Sequence, residues 1–157
     1  QVWDVKSGEI TKIFTFSGSV TSMTFNSNGK FFAAGSSDGK LVVFDAKEWK
    51  IKKVFKEHTL DITSLSFNPI NDYIASSSKD NTVKIWDGTS GGSSFTLKEH
   101  TKPVNAAVFS PDGKSIATGS SDNTIILWDA ATGQKKISLD AASKEVLHLH
   151  GVLMENI

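Results

Sequence analysis

Two sets of side chains in the sequence combine residue types that can perform nucleophilic chemistry. In a hydrolase, a histidine takes the proton of a serine hydroxyl while an aspartate orients the imidazole ring. A catalytic site seldom needs an adjacent copy, whereas a repeated architecture must repeat in every unit the contacts that hold that unit together. The repetition therefore favours a structural role, and we predict no catalytic residues. The two sets, which share the same internal spacing, are His58, Ser76 and Asp80, then His100, Thr118 and Asp122.

The whole sequence is periodic, with a repeat of the length that small stacked β-sheets use. An aromatic residue followed by aspartate recurs at nearly constant spacing, at Trp3-Asp4, Phe44-Asp45, Trp86-Asp87 and Trp128-Asp129. Each period holds four short runs rich in branched and aromatic residues, separated by turn-forming pairs such as Asn28-Gly29. One small antiparallel sheet per period is therefore predicted, and such sheets must stack to bury both faces. In the most regular period the predicted strands are Ile62–Phe67, Tyr73–Ser78, Val83–Asp87 and roughly 94–97.

This pattern resembles the WD-repeat (WD40) β-propeller family over nearly the whole chain. The aromatic-Asp pairs Trp86-Asp87 and Trp128-Asp129, each preceded by a histidine, carry the resemblance. It implies an all-β propeller domain with three complete four-stranded blades and partial blades at both ends. Because rings of this family usually close with about seven blades, we expect either a longer ring or a half-ring completed by another copy. The implied units are 1–16 (two last strands), 17–56, 57–98 and 99–139 (blades), and 140–157 (a first strand near 146–152).

The resemblance also implies a buried hydrogen-bond tetrad of His, Ser or Thr, Asp and Trp in regular blades. Such a network satisfies polar groups that would otherwise be buried without partners. In the blade at 17–56, Phe16, Ala34 and Phe44 replace three members and leave only Asp38, so hydrophobic packing is expected there. The two complete tetrads are His58, Ser76, Asp80 and Trp86, then His100, Thr118, Asp122 and Trp128.

Composition argues against several classes of ligand. Basic and acidic residues both number 17, all basic residues are lysine, and there is no cysteine. A neutral chain without arginine is a poor polyanion binder, so nucleic acid is not expected as a direct ligand.

The absence of cysteine excludes disulfides and thiolate sites, and it favours an intracellular protein, cytoplasmic or nuclear. No apolar run approaches the roughly 20 residues of a membrane span, and no membrane insertion is expected.

No metal, cofactor or small-molecule substrate is predicted either. His148 and His150 are two positions apart, a spacing that puts both rings on one face of a strand. Without a carboxylate or thiol nearby in a matching strand, this pair is not predicted to bind a metal.

The family resemblance places partner binding at the narrow end of the propeller. That end carries the loops before each first strand and the turns between second and third strands. Leu60 is the sharpest candidate, because an apolar residue facing solvent often marks an interface; alternatively, it folds back onto its own blade. We predict a non-catalytic scaffold subunit that binds other proteins. The candidate residues are Ser17, Ser19, Ser37, Thr59, Leu60, Asp61, Lys79, Thr101, Lys102 and Ser121.

Two other functions remain open. The alternative is a subunit of a ribonucleoprotein or chromatin complex that contacts nucleic acid through lysines, although lysine on an outermost strand also prevents sheet-to-sheet pairing. A propeller enzyme would need titratable residues converging on the axis, and no independent cluster is seen. The lysines in question are Lys47, Lys50, Lys52, Lys53 and Lys56.

Overall fold

The computed structural model describes residues 1–140, which form β-strands and no helix. Within that range no helix is long and apolar enough to cross a membrane. The strands are β1 (Val2–Trp3), β2 (Ile10–Lys12), β3 (Val20–Phe25), β4 (Phe31–Ser36), β5 (Leu41–Asp45), β6 (Lys50–Phe55), β7 (Ile62–Phe67), β8 (Tyr73–Ser78), β9 (Val83–Asp87), β10 (Ser93–Leu97), β11 (Val104–Phe109), β12 (Ser115–Ser120), β13 (Thr124–Asp129) and β14 (Lys135–Asp140).

From β3 onward, each successive group of four strands forms one antiparallel sheet, and the strands lie in that sheet in sequence order. We call these sheets blade 2 (β3–β6), blade 3 (β7–β10) and blade 4 (β11–β14); the pair β1–β2 is blade 1. Three predicted strands of the most regular period have the observed bounds, and the fourth begins slightly earlier, at Ser93. The last strand of blade 4 extends to Asp140, just past the predicted limit. The strand predicted near 146–152, with His148 and His150, lies outside the described residues.

The turn between the second and third strands has the same backbone form in all three complete blades. Its third residue has a positive φ, 77° at Gly39 and 68° at both Asn81 and Asn123. Asparagine and glycine adopt this left-handed conformation more readily than other residues. At position 39 the close approach of the next blade adds a second constraint, since a Cβ there would lie 2.4 Å from the carbonyl oxygen of His58.

The hydrophobic core consists of two equivalent seams between blades. One apolar cluster joins blades 2 and 3, the other joins blades 3 and 4, and nearly all residues of one cluster are related to those of the other by the sequence period. Trp86 in the first seam corresponds to Trp128 in the second, and both indoles are buried. Each blade is therefore stabilised by burying one face against its neighbour, as the sequence pattern predicted.

Hydrogen bonds between blades repeat with the same period. The hydroxyl of Thr21 donates to the carbonyl oxygen of Ile62 at 2.5 Å, and Thr63 makes the same contact with Val104 at 2.5 Å. These bonds connect the innermost strands, where the blades approach most closely. They fix the register of one blade against the next, which apolar contacts alone would leave less defined.

The face of blade 2 that is turned away from blade 3 is largely uncovered. Val20, Met23 and Phe25 are 43%, 64% and 54% exposed. The corresponding residues of blade 3, Ile62, Leu65 and Phe67, are buried against blade 2. The two strands of blade 1, β1 and β2, leave this face of blade 2 exposed.

Gly35 provides a test of the seam between blades 2 and 3. A Cβ at this position would lie 2.6 Å from Cγ2 of Ile62. The substitution Gly35→Ala is therefore expected to lower the free energy of unfolding by about 1–3 kcal/mol, because the seam must shift to admit one methyl group. Urea denaturation of the two proteins measures the difference.

The matched control is Gly92→Ala, where a Cβ would meet nothing within 4 Å. That variant should change stability by less than about 0.5 kcal/mol. Equal stabilities for Gly35→Ala and the unmodified chain would show that the two blades are not packed as described.

Candidate functional site

The four side chains of the predicted tetrad in blade 3 meet in one hydrogen-bonded network. His58 lies in the loop before β7, and its Nδ1 is 2.7 Å from Oδ2 of Asp80 in the β8–β9 turn. Its Nε2 is 2.8 Å from Oγ of Ser76 in β8. Nε1 of Trp86 in β9 donates to the same hydroxyl oxygen at 2.8 Å. The network therefore connects a loop, two strands and a turn.

Blade 4 repeats the network with threonine in place of serine. Nδ1 of His100 is 2.9 Å from Oδ2 of Asp122, and its Nε2 is 2.8 Å from Oγ1 of Thr118. Nε1 of Trp128 donates to the same oxygen at 2.9 Å. Because every contact of blade 3 recurs in blade 4 at nearly the same distance, the substitution of one hydroxyl residue for the other leaves the geometry intact.

The direction of the hydrogen bonds follows from the donor inventory. A carboxylate only accepts, so Nδ1–H of His58 donates to Asp80. In the neutral ring Nε2 then accepts from the hydroxyl of Ser76, whose oxygen accepts from the indole N–H of Trp86 and which also lies 3.5 Å from the carbonyl oxygen of Lys84. The structure thus assigns His58 the tautomer with hydrogen on Nδ1.

The electrostatics of the pair agree with a neutral imidazole beside a charged carboxylate. Burial lowers the pKa of His58 below its usual 6.5, although Asp80 acts in the opposite direction. Burial alone would raise the pKa of Asp80, but hydrogen bonds from Thr82 and His58 outweigh it and keep that pKa below its ordinary value. Burial alone would also raise the pKa of Asp122. Hydrogen bonds, of which that from the Thr124 side chain has the largest effect, outweigh burial and lower this pKa to about 2.

The arrangement is poorly suited to nucleophilic attack. The side chains of Ser76 and Thr118 are fully buried, and each hydroxyl oxygen already accepts from an indole. A substrate carbonyl could not reach either oxygen without opening the blade. Within residues 1–140 no three His, Cys, Asp or Glu side chains are grouped so that they could hold a metal ion. What the network can do is fasten strands together.

Blade 2 uses aromatic packing where the other blades use the network. Phe44 takes the place of the tryptophan, and its ring centroid is 4.5 Å from that of Phe14 and 6.4 Å from that of Phe16. Ala34, in the place of the hydroxyl residue, is buried in the same cluster. Trp49 completes the group, with a centroid distance of 5.8 Å to Phe32. Hydrophobic packing was expected for this blade, whereas Trp49 was not anticipated, because it stands at the repeated turn position where the other units have Gly8, Gly91 and Gly133.

Several polar partners were also not anticipated from the sequence. Asp38 in blade 2 accepts hydrogen bonds from the hydroxyls of Ser17 and Ser36, which lower its pKa, and it pairs with Lys40 at 3.0 Å. In the other two blades a threonine at the second position after the aspartate donates to it, at 2.6 Å in both cases. The recurrence of Thr82 as Thr124 at the repeat spacing was the signal that could have identified them.

The structure places the ten predicted partner-binding residues at one end of the blades. Strands alternate in direction within each sheet, so the loops before the first strands and the turns between second and third strands share that end. In every complete blade the turn is joined to the loop by the same backbone bond, such as Lys79 N–H to the carbonyl oxygen of Asp61 at 3.0 Å. We refer to these ten residues as the loop surface.

Within the loop surface Leu60 projects into solvent and is 51% exposed. Beside it, the ammonium of Lys79 donates to Oδ2 of Asp61 at 2.7 Å. The pair lowers the pKa of Asp61 through that hydrogen bond. Lys102 and Thr101 are exposed in the corresponding loop of blade 4. An apolar side chain thus lies among exposed polar groups contributed by neighbouring blades.

The predicted lysine cluster lies on and around β6, the outermost strand of blade 2. Two of its members have partners: Lys50 pairs with Glu48 at 2.9 Å, and Lys53 donates to the carbonyl oxygen of Ser90 in blade 3 at 3.1 Å. Lys52 and Lys56 are exposed. The cluster is therefore partly engaged in contacts within the chain.

Stacked four-stranded sheets, repeated along the chain with equivalent seams between them, define a β-propeller. A model of the family described as "WD domain, G-beta repeat" matches residues 10–45, 49–87 and 91–129. These segments make up most of the chain, and the chain belongs to the WD-repeat family.

A solved structure supports the same fold. A chain in the "Crystal Structure of Mitotic Checkpoint Complex" aligns with a TM-score of 0.81 and 22% identity, over 92% of this chain and 45% of that one. At this identity the likeness concerns the fold, and the chain spans less than half the length of the protein it matches. No curated protein matches the sequence.

Removal of the shared hydroxyl tests the role of the network in blade 3. In Ser76→Ala, Nε2 of His58 and the indole N–H of Trp86 both lose their partner in a buried site. We expect the free energy of unfolding to fall by at least about 2 kcal/mol, since each orphaned buried group costs about 1–3 kcal/mol. Urea denaturation with Ser27→Ala, in an exposed turn, as the control gives the difference. Similar midpoints for both variants would contradict a fastening role.

Proposed function

We propose that this chain is a non-catalytic interaction module that holds other proteins in a multisubunit assembly. The observation that carries the proposal is the loop surface. There, loops of three adjacent blades lie at one end and present exposed Leu60 among polar and charged groups. An exposed apolar side chain surrounded by polar residues is typical of a protein-binding surface.

The rigidity of the scaffold supports this proposal. The loops before β7 and β11 are held by the networks, because the backbone N–H groups of Thr59 and Thr101 donate to Asp80 and Asp122 at 3.1 and 2.9 Å. Loops that are already ordered lose little conformational entropy when a partner binds. The networks would then serve binding by presenting a fixed surface. This use of the histidines and aspartates also supports a protein without enzymatic activity.

Two further features are part of the proposal. We expect the uncovered face of blade 2 to be buried by other strands of a larger ring, or by another copy of the chain, because the corresponding faces of blades 3 and 4 are buried. We also propose an intracellular location, cytoplasmic or nuclear, which rests on the absence of cysteine.

A second candidate function is contact with nucleic acid in a ribonucleoprotein or chromatin complex. The observation in its favour is the group of exposed lysines on and beside β6, among them Lys52 and Lys56. It is the weaker candidate, because Lys50 and Lys53 have partners within the chain and the net charge is zero.

The double variant Leu60→Asp/Lys102→Glu tests the loop surface. Both side chains are exposed, so the melting temperature should not change. Proteins that co-purify with the tagged full chain should be recovered at least about tenfold less, since central interface residues often contribute about 2 kcal/mol or more. Quantitative mass spectrometry of the purified complexes measures the loss.

The matched control is Val5→Asp/Lys6→Glu, which changes an exposed apolar residue and an exposed lysine at the opposite end of the blades. Val5 is 99% exposed in the turn between β1 and β2. The control should keep every co-purifying protein. Equal recovery with both double variants would refute the choice of surface.

A further inference from the structure

The two loops that lead into blades 3 and 4, residues 56–61 and 98–103, have all of their acidic side chains in ion pairs. Each acidic side chain is paired with a lysine that comes from a strand or a turn outside these loops. The negative charges of the loops are therefore compensated within the chain. The pairs are Glu57–Lys84 at 3.4 Å, Asp61–Lys79 at 2.7 Å and Glu99–Lys135 at 2.7 Å.

The lysines of the same two loops are not compensated. Lys56, Lys98 and Lys102 are exposed, and none of them forms an ion pair among residues 1–140. Lys56 lies in the same loop as Leu60, which is 51% exposed, and the other two lie in the loop of the neighbouring blade. Uncompensated positive charge is thus found in both loops, next to an apolar side chain in solvent.

Two further carboxylates, those of Asp80 and Asp122, belong to this end of the blades but are withdrawn from solvent. Their side chains are 9% and 8% exposed. Besides the imidazole, a threonine hydroxyl and backbone N–H groups donate to each of them. Their hydrogen-bonding capacity is therefore used inside the blades. Asp140 is exposed at the same end, but it lies on the edge strand of blade 4.

The opposite end of the blades has a different distribution of charge. Asp4, Lys6 and Glu9 lie together in and beside the turn of blade 1, and all three are exposed. In the corresponding turn of blade 3, Asp87 accepts a hydrogen bond from the hydroxyl of Thr89 and forms no ion pair among the described residues. The net charge of zero consequently conceals an uneven distribution, and a local excess of one sign can orient a charged partner.

We propose that the partner segment bound at the loop surface is an acidic peptide, which packs an apolar side chain on Leu60 and pairs Asp or Glu carboxylates with Lys98 and Lys102. Lys56 offers a further contact for a carboxylate beside Leu60. Burial of the apolar side chain supplies affinity, while the lysines direct the encounter and disfavour basic partners. This inference rests on the proposed function and names the chemistry of the partner for that surface.

An acidic peptide fits this surface better than a nucleic acid does. None of the ten residues of the loop surface is aromatic or arginine. The surface therefore offers neither a platform on which bases could stack nor a bidentate contact to phosphate. Leu60, in contrast, is a contact that an apolar peptide side chain can match and that a phosphate backbone cannot.

The probe for the test is a phage-displayed library of random nonapeptides, selected on the full chain. Enriched peptides are then labelled, and their affinities are measured by fluorescence polarisation. The triple variant Lys56→Gln/Lys98→Gln/Lys102→Gln removes the positive charges, and Leu60→Gln removes the apolar contact. In a second selection, the library is applied to Lys98→Glu/Lys102→Glu. All of these side chains are exposed, so each variant should fold.

The matched control is Lys6→Gln/Lys30→Gln/Lys114→Gln, which changes the net charge equally through exposed lysines at the opposite end of the blades. Enriched peptides should combine an apolar residue with several Asp or Glu residues. Their affinity should fall about tenfold in the triple variant and in Leu60→Gln, and it should be unchanged in the control. Affinity should also fall as the salt concentration rises, because exposed charges are screened. The second selection should yield basic peptides.

Three outcomes would each overturn the inference. The first is peptides that depend on Leu60 but carry no excess of acidic residues and ignore the triple variant, which would leave the proposed function standing. The second is no enrichment of peptides at all, in which case the co-purification experiment decides the proposed function separately. The third is binding of labelled oligothymidylate that the triple variant removes and the control retains, which would assign the lysines to nucleic acid.

Discussion

A buried hydroxyl at the centre of a blade connects parts of the chain that are far apart in sequence. In blade 3 the oxygen of Ser76 accepts from Trp86 and its hydrogen meets His58, which is in turn held by Asp80. Each of these four side chains comes from a different segment, and each has its partner among the others. Formation of the network therefore positions four segments cooperatively. They are the loop before the blade, its second and third strands, and the turn between those strands.

The network and the seams make different contributions to stability. Burial of an indole removes about 200 Å² from water, which corresponds to roughly 5 kcal/mol, whereas each hydrogen bond contributes a net of about 1 kcal/mol. Apolar packing of Trp86 and Trp128 against the neighbouring blades therefore provides most of the stabilisation. The network adds specificity, because a blade whose strands slip in register would leave several buried polar groups without partners. Blade 2 shows that apolar packing and the hydrogen-bond network are separable contributions, since Phe44 retains the packing without the network.

Periodicity made much of this structure predictable. Strand bounds in blade 3 followed from the spacing of branched residues and turn signals, because both are set by local backbone chemistry. The packing of Trp49 could not be predicted in this way. A repeat pattern identifies residues that agree between units, while Trp49 stands where the other units have glycine. Whether a differing residue is buried or exposed depends on the neighbouring blade, which no single period contains.

The position of the hydrogen on the two network histidines tests the central claim most directly. ¹⁵N NMR of the imidazole rings at neutral pH distinguishes the two neutral tautomers from the imidazolium ion. The fastening role predicts that Nδ1 carries a hydrogen in both His58 and His100 and donates it to Asp80 and Asp122. A neutral ring with its hydrogen on Nε2 alone, in either histidine, would contradict a network that fastens both blades in the same way.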